Sequence, residues 1–132
     1  LTSAYRSPAV GTDANAVEAA RARAMIAVLD VMPQMLGDDL FPEPARHILL
    51  DLYAAEHEGR AVGVTSASIA AGVPVTTGLR WVNVLIDKGL LESSMSQHDG
   101  RVRILRLTDR SRVTIRQMLD AAAAMMGAVS RS

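Results

Sequence analysis

Asp99-Gly100 stands between two runs of β-type residues, 90–96 and 101–107, and it constrains this chain more than any other feature. Asp-Gly accepts positive φ readily, and a turn of that kind closes a hairpin whose twist matches its strands. The rest of the chain reads as helix, apart from a short β-branched stretch at Val62-Gly63-Val64 that suits a single edge strand. The expected fold class is therefore mainly α with a small β-hairpin, an α+β chain.

The helices follow from apolar spacing. In 13–36, Val17, Ala20, Ala24, Val28 and Met32 recur every three or four residues, and Met25, Leu29 and Leu36 widen the stripe. Pro33 lies inside this run. An interior Pro costs about 3 kcal/mol, so the helix is expected to kink or end near Met32. Residues 37–44 form a break, and Pro44 suits the first turn of a helix over 45–57. Its predicted stripe is Ala45, Ile48, Leu49, Leu52 and Tyr53, and Gly59 stops it. Thr65 is expected to cap a short helix ending near Gly72. Val73-Pro74 then turns the chain into a helix over 75–88. Leu79, Val82, Leu85 and Ile86 are its predicted buried side. Thr76, Thr77, Arg80, Asn83 and Asp87 are its outer side. Thr108 should cap a last helix reaching residue 128 or beyond, lined by Ile115, Met118, Leu119, Ala122, Met125, Met126 and Val129. Residues 1–12, without periodicity, are read as a flexible N-terminal segment. Residues 13–132 are read as one domain.

The order helix, helix, short strand, helix, turn, helix, hairpin is that of a winged helix-turn-helix. A helix about 10–12 Å across fits the major groove of B-DNA, where each base pair shows its own donor and acceptor pattern. The charge balance speaks mildly against this reading, since 14 basic residues meet 14 acidic ones. Distribution answers the objection. Acids gather in 37–58 (Asp38, Asp39, Glu43, Asp51, Glu56, Glu58), whereas Arg101, Arg103, Arg106, Arg110 and Arg112 gather in 97–112. A phosphate backbone responds to local potential rather than to net charge. One Trp, two Tyr and one Phe are too few for single-strand binding by base stacking.

Other classes find little support. The absence of Cys fits a reducing cytoplasm, and no apolar run approaches the ~20 residues of a membrane span. No signal peptide is visible, and the expected location is cytoplasmic. There is no nucleophile elbow, no phosphate-cradling Gly loop and no carboxylate pair in an apolar setting, so an enzyme is not expected. His47 and His57 lack the i, i+4 spacing of a helical metal pair, and neither a metal nor another cofactor is expected.

Candidate DNA-contacting residues fall on the second helix of the motif and on the hairpin. Arg80, opposite the apolar stripe, can donate two hydrogen bonds to guanine. Thr76 and Thr77 open that helix, where an anion is favoured. Ser66 and Ser68 are weaker phosphate candidates beside the start of the bracing helix. Gly78, costly inside a helix, implies close backbone approach to DNA or to the bracing helix. Trp81 is expected to pack under the wing. Arg101 and Arg103 sit at the wing, and His98 can touch phosphate.

Two motifs resemble the MarR family of regulators. Asp99-Gly100-Arg101 followed by Leu105-Arg106-Leu107-Thr108 resembles the family's wing signature, with Ser111 where the family usually has Gly. Thr77, Arg80, Val82 and Leu85 before Gly89-Leu90 resemble its recognition helix. The resemblance implies a dimeric, often ligand-responsive transcriptional regulator of double-stranded DNA, most often a repressor. It also implies N- and C-terminal dimerisation helices, a small-molecule effector as a partner, and an Asp99 that orients Arg101 toward the minor groove. Only residues 109–132 follow Thr108, enough for one helix where family members commonly have two. The alternative is a winged-helix protein-interaction module without DNA binding.

Overall fold

The computed structural model describes residues 12–36, 44–96 and 102–131. The flexible segment assigned to 1–12, the break at 37–44 and the hairpin turn therefore lie wholly or mostly outside the described residues. The elements are α1 (Thr12–Leu36), α2 (Pro44–His57), β1 (Val62–Gly63), α3 (Val64–Ala70), α4 (Val75–Asp87), β2 (Leu91–Met95), β3 (Arg103–Leu107) and α5 (Asp109–Arg131). The sheet is antiparallel with β3 in the middle, in the order β1-β3-β2. Its register pairs Val62 with Leu105 and Leu91 with Leu107, and all four side chains are buried.

α2 is the hub. It touches α1, α3, α4, α5 and β3, and it is buried on almost every side. Ile48, Leu50 and Leu52 are at most 1% exposed, and burial of each is worth roughly 1.5–3 kcal/mol. The predicted stripe packs on the core throughout, and Leu50, Ala54 and Ala55 join it, so α2 is a core helix.

Three expectations need correction. α1 does not end at Met32. It continues to Leu36 and takes Pro33 into its last turn, so the break falls about one turn later than expected. Its inner face is the predicted one only at Met25 and Leu29. Ala19 and Ala22 are buried, and Met25, Ile26 and Leu29 pack on the core, while Val17 and Val28 are 55% and 62% exposed. An Ala-rich helix carries two apolar faces, and the one that turns inward joins the small Ala19 and Ala22 to the larger Met25, Ile26 and Leu29. Thirdly, Thr65 is not a cap. The N-cap of α3 is Gly63, because β1 runs straight into the helix. A Cβ on Gly63 would come within 3.1 Å of the Arg103 carbonyl. The side chains of Met32, Leu36 and Val129 lie outside the described set.

The acids of α2 are consumed inside the fold. Asp51 receives Arg23 of α1 at 2.7 Å, and Glu58, just past the helix, receives Arg23 and Arg60. These guanidiniums, Arg23 first, hold the Glu58 carboxyl below its ordinary range. That contribution is present above the ordinary carboxylate pKa and is lost as pH falls through the depressed value. The buried Glu18 accepts from Tyr53 Oη at 2.6 Å and from Arg21, which also reaches Asp120 of α5. Burial, and then this carboxylate, push the Tyr53 phenol well above its usual range. Glu56 is shared between the buried Leu107 N–H of β3, at 2.9 Å, and Arg112 Nε of α5, at 2.7 Å. Glu56→Ala leaves that amide without its acceptor, and the expected cost is about 2–3 kcal/mol. It should appear as a lower urea midpoint with an unchanged slope. An unchanged midpoint would refute this role for Glu56.

Candidate nucleic-acid interface

The turn Ala71-Gly72-Val73-Pro74 sets the geometry of the candidate surface. Gly72 has φ +70, the left-handed conformation that glycine adopts without steric cost. Beyond it, α4 leaves α3 at 104°. Helix-turn-helix motifs join their helices at about 90–120° through such a short turn. The two helices also approach closely. An added Cβ on Gly78 would overlap Ser68 Oγ and lie 2.7 Å from Ser68 Cβ. Of the two explanations offered for Gly78, contact with the bracing helix is the one the structure supports. Ser68 is 0% exposed and donates its hydroxyl to Val64 O, so it is withdrawn from any phosphate.

α4 divides cleanly. Gly78, Val82 and Leu85 are buried, and Trp81 and Ile86 pack partly on the core. Thr76, Arg80, Asn83 and Asp87 are exposed on the outer side, and Thr77 is half-buried. Arg80 makes no hydrogen bond or ion pair among the described residues. Pro74 is the N-cap and no side chain caps the helix, so its first-turn amides are open to an anion. Leu79 is a correction. It was expected in the buried stripe and is 37% exposed, because Gly78 occupies the seat against α3.

The other site residues are spread over two elements. Ser66 is exposed on α3. Arg103 lies on β3 and donates to Ser93 Oγ across the hairpin at 2.9 Å. His98, Asp99 and Arg101 lie outside the described residues. The basic cluster is smaller than its sequence suggests. Arg112 is held by Glu56 and by Asp109, and Arg110 Nη1 donates to Lys88 O at 3.0 Å. Ser111, which stands where a Gly was expected, is 1% exposed and donates to Leu90 O at 2.9 Å. Beside it, Thr108 caps α5 as predicted, accepting from Ser111 N.

Solved structures share this arrangement. A point mutant of ZitR from Lactococcus lactis superposes with a TM-score of 0.53 at 17% identity, over 67% of this chain and 57% of ZitR. A MarR family transcriptional regulator from Silicibacter pomeroyi gives 0.57 at 22% identity, over 79% of this chain and 67% of that one. FabT from Streptococcus pneumoniae, solved in complex with DNA, gives 0.57 at 21% identity, over 83% and 76%. The fold is a MarR-type winged helix-turn-helix. At these identities the likeness is one of fold, and the chain spans little more than half of ZitR's length. No family model matches the sequence, and no curated protein matches it. Within this winged helix, α3 and α4 are the first and second helices of the helix-turn-helix and β2–β3 form the wing hairpin.

Elsewhere the winged helix offers little chemistry. Among the described residues no group of three or more His, Cys, Asp or Glu is placed to hold a metal ion. His47 pairs with Asp30 at 2.6 Å, and His57 bonds Tyr53 O. Among the same residues, no single helix is long and apolar enough to cross a membrane.

Proposed function

We propose that this chain is a sequence-specific regulator of transcription that binds double-stranded DNA as a homodimer, acting as a repressor. The observation that carries this reading is α4. It is a 13-residue helix, uncapped at its N-terminus and set at 104° to its brace. Its outer side bears Thr76 and an Arg80 that has no partner among the described residues. The zero net charge still weighs mildly against it, because the arginines that neutralise Asp51, Glu56 and Glu58 are themselves spent in those pairs. In this reading Thr76, Thr77 and Arg80 enter the major groove. Ser66 touches phosphate, and His98, Arg101 and Arg103 meet the neighbouring groove or backbone, with Asp99 orienting Arg101.

Dimerisation is supported by apolar surface that one copy leaves uncovered. Val17 and Val28 on α1, and Met118, Met125 and Met126 on α5, are 41–68% exposed. Surfaces of this kind, rimmed by polar residues, mark interaction sites. For an effector, the groove between the start of α1, His57 and Arg116 is shallow and open, and it does not by itself mark a small-molecule site.

The test is a gel shift on DNA flanking the chain's own gene, repeated across salt concentrations, beside light scattering of the free protein. The expected protein is a dimer whose log affinity falls linearly with log salt, by about 0.9 for each phosphate neutralised. A monomer at micromolar concentration would remove the dimer. Absence of binding, or binding insensitive to salt, would favour a protein-interaction module on the same scaffold.

A further inference from the structure

Val75 and Leu79 are out of place on a helix that otherwise sorts its residues well. The large apolar residues Trp81, Val82, Leu85 and Ile86 all pack on the core. Val75 and Leu79, one turn apart, remain 45% and 37% exposed. Thr76 and Arg80 follow them directly in sequence, and one residue turns a helix by about 100°. The apolar pair therefore borders the polar outer side along its N-terminal half, the part of a recognition helix that meets base edges.

We propose that Val75 and Leu79 form an apolar edge that reads the 5-methyl group of thymine, beside the base pair met by Arg80. This rests on the DNA-binding reading and names what part of the operator must contain. Thymine alone among the four bases presents a methyl group in the major groove, and apolar side chains are its natural partners. The same edge disfavours cytosine. Its exposed amino group would lose water against Leu79 and gain no acceptor. Asn83, exposed one turn beyond Arg80, continues the reading side with a group suited to adenine, so the apolar edge bounds it at one flank only. A second copy of the chain is the less fitting occupant. α1 and α5 expose more large apolar side chains for that purpose, Val17, Val28, Met118, Met125 and Met126.

The experiment uses the duplex that the wild-type chain selects from a random pool. Each thymine is replaced in turn by deoxyuridine, which deletes the methyl group alone. Wild type should lose affinity about fourfold at one position in each half-site, the effect of one buried methylene-sized group. Leu79→Ala should bind thymine and deoxyuridine equally at that position while keeping its melting temperature. A duplex indifferent to every such replacement overturns the proposal. So does a Leu79→Ala chain that still discriminates, or one whose change is in self-association instead. If Arg80→Ala abolishes selection while deoxyuridine is tolerated throughout, the DNA-binding reading stands and only this edge fails. If no duplex is selected at all, both fall.

Discussion

Gly78→Ala should cost about 3 kcal/mol or more, a large part of the roughly 5–15 kcal/mol that holds a domain of this size together. Alanine is ordinarily the better helix former by about 1 kcal/mol, so propensity alone gives the opposite sign. Contact decides it. The new Cβ would meet the side chain of Ser68, which is fully buried and tied to Val64 O, with no room to swing aside. Either α3 and α4 separate or their crossing angle opens, and DNA binding should fall with stability. The measurement is a double-mutant cycle in urea with Ser68→Gly, which removes the obstructing atoms. Ser68→Gly alone should destabilise, losing a hydrogen bond and adding backbone entropy. In the Gly78→Ala background it should restore much of the loss. Strict additivity of the two changes would show that the α3–α4 contact is not what Gly78 serves.

Arg80→Ala carries the largest effect expected on specificity. If Arg80 forms a bidentate contact with guanine, its removal costs ~1–3 kcal/mol at one base position in each half-site, which doubles in a symmetric dimer. Arg101→Ala should behave differently. A wing arginine in the minor groove meets a degenerate code and responds to groove width, so its loss should weaken binding to most sequences and leave the preferred core unchanged. Site selection with both variants separates the roles. The half-sites should be centred about one helical turn apart, or a multiple of it. An Arg80→Ala protein with full wild-type preference would mean that α4 is not the reading helix.

Local punctuation was legible in the sequence, and long-range choice was not. Pro44, Gly59, Gly72 and Gly89 act through their own backbone dihedrals, so the ends of α2, α3 and α4 fall within about two residues of expectation. Thr108 as a cap is equally local. The inner face of α1 was legible at Met25 and Leu29, but the choice of Ala19 and Ala22 over Ala20 and Ala24 depends on which alanine row meets α2. Leu79 was misplaced for a related reason. Its spacing to Val82 fits a buried stripe, but the seat was taken by Gly78, whose unfavourable position in a helix was the available warning. The acidic run was legible as a charge excess, yet its neutralisation was not. Glu56 finds Arg112 across 56 residues and Asp51 finds Arg23 across 28, and such pairs exist only once the chain has folded. The candidate DNA-contacting side of α4 was largely visible, because Thr76, Arg80 and Asn83 are polar residues opposite Val82 and Leu85.

The junction between α4 and α5 has a mechanical consequence. Three successive carbonyls at the exit of α4 are gripped by residues at the start of α5: Lys88 O by Arg110, Gly89 O by Thr108 and Leu90 O by Ser111. The exit of one helix and the first turn of the other are thereby pinned as a single lever arm. In the proposed dimer, α5 carries much of the surface that faces the second copy. A small pivot of α5 against its counterpart would then be carried through that joint to α4, changing the reach between the two reading helices. The pitch of B-DNA is fixed, so a shift of a few ångströms in that reach takes one of the two out of its groove.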